Sequence, residues 1–222
     1  MCIRTRSLFT AFLMVAALVS ARPALAGPPL LCHPFDIGSA ASLPWNGTSS
    51  WFDGKPDYRL SGLVSDTEAL LVPSTPVVVR METLRRAAIY ASRDPQVASA
   101  LLDRLAAKAQ HAKTSARPDA LALLDAAYVT EALRQIAQIG GVTGYHDRVA
   151  AIAELVRDRD GWQQMKASLA ASPDDPALQF AAALIAAGKD RGAYAEHARK
   201  ARAGAQKDAL VARNLKHIAG AQ

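Results

Sequence analysis

From Val77 to the C-terminus the apolar residues recur at helical spacing almost without interruption, which leaves little room for anything but α-helices. Val77, Met81, Leu84, Ala88 and Ala91 follow the 3-4 spacing of one buried face, and Val97, Leu101 and Leu105 repeat it. Leu121, Leu124, Tyr128, Ala132, Ile136 and Ile139 make the longest stripe. Val149, Ile152 and Val156 follow, then Trp162, Met165 and Leu169, then Leu178, Ala182 and Ile185, with Ala-rich segments to the end. The punctuation agrees. Thr75-Pro76, Asp94-Pro95 and Asp175-Pro176 each set a capping residue before a proline at the first helical position. Gly140-Gly141 and Gly188 suit helix ends, where left-handed geometry is needed. About eight helices joined by short turns are expected, with no strand after residue 60. The fold class is all-α.

Upstream the character changes. Residues 27–76 hold seven prolines and most of the large aromatics, among them Phe35, Trp45, Trp51, Phe52 and Tyr58. Turn signals such as Asn46-Gly47 and Asp53-Gly54 are dense there. Such a segment cannot be a long helix, yet it is too apolar for a disordered linker. It reads as an irregular arm packed through its tryptophans against a helical domain spanning residues 77–222. One short helix is expected from Ser65, where Ser65 and Glu68 form a capping box.

Residues 1–26 read as a secretory signal peptide. Arg4 and Arg6 precede the apolar run Leu8–Val19, and Ala24-Leu25-Ala26 offers small residues at the cleavage site before Gly27. The run is shorter than the roughly 20 residues a bilayer span requires. No membrane span is therefore expected once the signal is removed. Cys32 follows Leu30-Leu31 rather than a small residue, which argues against a lipid anchor. Cleavage removes three arginines and no acid, leaving 23 basic and 20 acidic residues and a net charge of +3. That balance, without basic clusters interleaved with aromatics, does not point to nucleic acid. Cys2 leaves with the signal, so Cys32 stands alone, as a free thiol, an intermolecular bridge or a ligand.

The stretch from about Gly161 to His217, roughly a quarter of the chain, resembles a tetratricopeptide-type repeat. Ser172-Pro-Asp-Asp-Pro-Ala-Leu-Gln-Phe opens a helix running to Ala187, Gly188-Lys-Asp makes a turn, and a partner helix runs from Arg191 to Ala203. With Gly188 at the family's turn glycine, Phe180 and Ala181 stand where its leucine and glycine sit. Leu184 takes the place of its first tyrosine, and Ala177 that of its first aromatic. The resemblance implies antiparallel helical hairpins stacked as a short solenoid, whose concave surface would take a protein or peptide partner.

Chemistry-bearing groups are few. Cys32, His33 and Asp36 offer thiolate, imidazole and carboxylate, the ligand types for zinc or copper, but no second Cys or His lies within the next seventy residues. Cys32 reads first as a small buried hydrophobe. As adjacent residues of an extended chain, Cys32 and His33 would point apart and could not form a nucleophile–base pair. Arg80, Glu82, Arg85 and Arg86 make a polar patch. The i,i+4 relation of Glu82 and Arg86 reads as a solvated salt-bridged face, as does Glu131 with Arg134. Tyr128, Tyr145 and Trp162 read as core. Asn46-Gly47-Thr48 is a glycosylation sequon only in a eukaryotic secretory pathway, and the Ala/Arg-rich composition reads as bacterial. No phosphate loop, dinucleotide fingerprint, H-E-x-x-H or G-x-S-x-G occurs. The expectation is an exported, non-enzymatic scaffold of a bacterial cell envelope that binds a protein or peptide, with no cofactor or metal. The alternative is a small-molecule, metal or redox binder organised around Cys32-His33.

Overall fold

The computed structural model describes residues 27–47, 52, 54–139, 146–187 and 189–219, apart from the side chains of 146–148. The expected signal peptide, Thr48 of the sequon, Trp51, Asp53, Gly140-Gly141, Tyr145 and Gly188 lie outside the described residues. Among the described residues there is no strand, and nine α-helices follow one another. They are α1 (Leu63–Leu70), α2 (Val77–Ala91), α3 (Pro95–Thr114), α4 (Ala120–Ile139), α5 (His146–Val156), α6 (Gly161–Ala171), α7 (Pro176–Ala186), α8 (Arg191–Gly204) and α9 (Ala209–Asn214). The all-α class is as expected, and α2 to α9 match the helices anticipated after residue 77. None of the helices is long and apolar enough to cross a membrane.

Aspartates begin most of these helices. Asp94 accepts from the Gln96 amide, and Asp175 from those of Ala177 and Leu178, satisfying first-turn N–H groups that have no intrahelical partner. Asp160, Asp190 and Asp208 cap α6, α8 and α9 in the same way. The expected cap at Thr75 is absent. Its hydroxyl donates instead to the Leu70 carbonyl, so it ties down the end of α1. The Ser65 box is displaced as well, because α1 starts at Leu63 and Ser65 Oγ donates back to the Gly62 carbonyl. Glu68 is drawn away to Arg104 and Lys108 of α3.

Three helices are buried on nearly every side: α2, the middle of α4 from Leu123 to Leu133, and α7 from Ala177 to Ala186. The other helices and the arm cover these three, including the charged residues that α2 and α4 carry. The long helix α4 packs against α2, α3, α5, α6 and α7, while α7 and α8 form a close hairpin. Contacts of α2 with α7 join helices far apart in sequence, so the packing is more than a nearest-neighbour array.

Gly161 opens α6 in close contact with α4. A Cβ there would lie 2.7 Å from the Ala127 carbonyl oxygen and 2.7 Å from Glu131 Cγ. Gly161→Ala is expected to push α6 off α4 and to destabilise the protein by about 1–3 kcal/mol, read from chemical denaturation.

The arm has almost no regular structure of its own, so its buried backbone groups need partners from elsewhere. They come from side chains of the helices. Gln135 accepts from the Leu30 amide at 3.0 Å, and Tyr128 Oη donates to the Leu30 carbonyl at 2.9 Å. Arg85 donates to the Leu31 carbonyl, Arg86 to that of Leu43 and Tyr90 to that of Pro44. Asn214 of α9 holds Asp36 from both ends of its peptide unit, accepting from its N–H and donating to its carbonyl, each at 2.9 Å. Leu30, Leu31, Phe35, Ile37 and Leu43 supply the buried apolar surface. Trp45 is only half-buried, between Tyr90 and the Arg85 and Arg86 guanidiniums. Among the described residues, leucines and Phe35, more than Trp45, therefore seat the arm.

Candidate functional site

Glu82, Arg85 and Arg86 overturn the expectation of a solvated face. Glu82 and Arg85 are completely buried. The Glu82 carboxylate takes two hydrogen bonds from Arg85, at 2.8 and 2.9 Å, one from Arg86 at 2.7 Å and one from the Phe35 amide at 3.1 Å. Burial alone would raise its pKa, but the two guanidiniums outweigh burial and hold it below the ordinary carboxylate range. Arg80 is also buried, against Asp125 of α4. Glu131 is buried too, between Arg134, Lys189 and the Gly161 amide. These charges face inward because the arm and neighbouring helices offer them backbone groups and counter-charges.

Cys32, His33 and Asp36 are not brought to one point. Residues 28–32 form a turn, with Leu31 and Cys32 both donating to the Pro28 carbonyl, and not the extended chain expected. Cys32 is half-buried, and burial pushes its thiol pKa up against the opposing charge of Arg85. Asp36 lies exposed, its carboxylate closing a local turn on the Gly38 amide. His33 turns toward His217, with ring centroids 6.1 Å apart, and His217 also lies 5.0 Å from the Phe35 ring. Among the described residues no three His, Cys, Asp or Glu side chains are grouped as a metal site.

His217 is a residue the sequence did not single out. Burial, then Lys216 and His33, pushes its pKa down to about 4, with Glu82 opposing. The unfolded chain takes up this proton near the ordinary value of 6.5, so stability falls as pH drops from 6.5 toward 4. His217→Phe is expected to remove on the order of 2 kcal/mol of that acid sensitivity, measured by urea unfolding at several pH values across the window.

Among the described residues, α6, α7 and α8 frame a groove lined in part by Trp162 and Leu169, which are half-buried against the core. It lies over α7, between α6 and α8, with a volume of about 600 Å³. Trp162, near the start of α6, sets the edge of its ring against His197 of α8, with centroids 5.8 Å apart. Gln179 of α7 is the floor. Its Nε2 donates to the Pro173 carbonyl at 2.7 Å, and its Oε1 meets His197 Nδ1 at 2.7 Å. An amide oxygen only accepts, so Nδ1 carries the proton and Nε2 remains the ring's acceptor. Burial lowers the His197 pKa, which keeps the ring neutral. Leu169, Ala170 and Ala193 add apolar wall, while Lys166, Lys200 and Glu196 stand exposed on the rim. Among the described residues, none of the arm lines this groove. Its lining offers an aromatic edge, a neutral hydrogen-bonding floor and a rim carrying both charges. No family model, no curated protein and no solved structure matches this chain.

Proposed function

We propose that this protein is an exported, non-enzymatic helical scaffold of a bacterial cell envelope that binds an extended peptide segment of a protein partner in the α6–α8 groove. The observation that carries the reading is the groove itself, which Trp162, Gln179 and His197 line together. An extended peptide brings unpaired main-chain N–H and C=O groups, which Gln179 and His197 can meet, and an apolar side chain, which Trp162 can cover. The resemblance of this same stretch to a tetratricopeptide-type hairpin supports the reading. Export rests on the basic, apolar and small-residue parts of residues 1–26.

Two measurements test it. Intact mass of the protein recovered from an exporting bacterial host is expected to show a chain starting at Gly27, and a retained leader would contradict export. Selection from a random peptide library is expected to enrich sequences with an aromatic or large apolar anchor. Their affinity should fall about tenfold or more with Ala170→Arg, which plugs the groove from an exposed position. Enriched peptides that bind this variant as tightly as the parent would refute the groove as the site.

A further inference from the structure

A second concavity lies on another part of the molecule. It is bounded by the α1–α2 loop, α3, the α3–α4 turn and α4, and encloses about 520 Å³. Its walls are largely apolar, from Leu71, Pro73, Ala112, Leu121 and Ala122. Asp125 reaches it from α4 and is only 4 % exposed. One carboxylate oxygen, Oδ2, accepts from Arg80 Nη1 at 2.5 Å. The other, Oδ1, is buried and has no hydrogen-bond partner among the described residues. A buried acceptor left unpaired is costly, and a ligand's donor would recover that cost.

The charges around this space cancel. Arg80 is matched by Asp125 and is further fixed by the Thr75 and Val72 carbonyls. Arg104 and Lys108 share Glu68, and Asp119 spends its Oδ1 on the Leu121 and Ala122 amides that open α4. Three cationic side chains therefore face three anionic ones, and neither a cation nor an anion is drawn in by a net field. His111 stands exposed at the rim. We infer that this cavity is a binding site for a small uncharged molecule with an apolar body and one hydroxyl or amide donor, the donor seated on Asp125 Oδ1. The size falls within the range of small-molecule pockets, roughly 300–1,000 Å³. This inference is independent of the peptide groove, with which the cavity shares no residue.

The test uses four probes with one body and different heads: benzyl alcohol, toluene, benzylamine and benzoate. Each is titrated into the full mature protein at neutral pH and followed by amide shifts in two-dimensional NMR. Benzyl alcohol is expected to shift residues around Leu71, Ala112 and Leu121 and to bind about tenfold or more tightly than the other three. Ala122→Phe, which fills the cavity from α4, should abolish those shifts while the helical circular dichroism persists. Should that variant not fold, the shift map and the ranking of the four probes on the parent protein still decide. No shifts with benzyl alcohol, shifts elsewhere on the molecule, equal binding of all four probes, or unchanged binding by a folded Ala122→Phe would each overturn the assignment.

Discussion

Replacing Glu82 by alanine is expected to destabilise the protein more than any other single substitution of a charged residue, by about 3–5 kcal/mol. Against the roughly 5–15 kcal/mol that holds a domain of ordinary stability together, that is a third or more of the total. The size follows from where the charges sit. Glu82 and Arg85 are both fully buried, and the carboxylate is the group that compensates the guanidinium. Removing it strands a cation in a low-dielectric interior and deprives the Phe35 amide of its acceptor. The arm should loosen at the same time as the core, because Arg85 and Arg86 also hold the Leu31 and Leu43 carbonyls. Urea denaturation gives the loss, and hydrogen exchange at the Phe35 amide shows whether the arm opens with it. The Glu82→Met, Arg85→Met double variant should be less damaging than Glu82→Ala, since it removes both charges together.

Glu131→Ala should cost about 2–4 kcal/mol and disturb function as well as stability. Glu131 is buried, and its two oxygens serve different elements. One accepts from the Gly161 amide at the start of α6, and the other pairs with Lys189 in the turn between α7 and α8. These elements carry opposite walls of the groove, so the carboxylate fixes their spacing. Peptides selected on the parent should therefore bind Glu131→Ala several-fold more weakly even under conditions where it is fully folded. Glu131→Gln, which keeps an acceptor for Gly161, should recover part of the stability. Thermal denaturation and peptide titration on the same samples separate the two effects.

The helices were legible because their signal is local. Stripes such as Leu124-Tyr128-Ala132 and aspartates ahead of Pro95 and Pro176 act within a turn or two of themselves. The buried charges were not legible, since Glu82 and Arg86 at i,i+4 look the same whether water or another segment lies over them. What covers them is an arm about fifty residues upstream that has no periodicity to read. One hint was present: Val77-Val78-Val79 and Ala87-Ala88-Ile89-Tyr90-Ala91 make both ends of α2 apolar on all sides, which befits a helix buried at either end of its charged middle. Thr75 misled because it precedes a proline, but the nearby Leu70 carbonyl, free at the end of α1, claims its hydroxyl. The groove's floor could be anticipated in part. A hairpin turning at Gly188 sets residue 179 opposite residue 197, nine positions to either side, and these are the glutamine and histidine that meet. The approach of Trp162 and the pairing of His33 with His217 depend on how separate elements pack, which no local pattern encodes.

Amide-shift mapping with a selected peptide decides whether a partner's segment lies between α6 and α8. Shifts are expected to concentrate around Trp162, Gln179 and His197, with the Trp162 indole signal among the largest. Shifts confined to the arm or to the Asp125 cavity, or spread evenly over the surface, would rule that placement out.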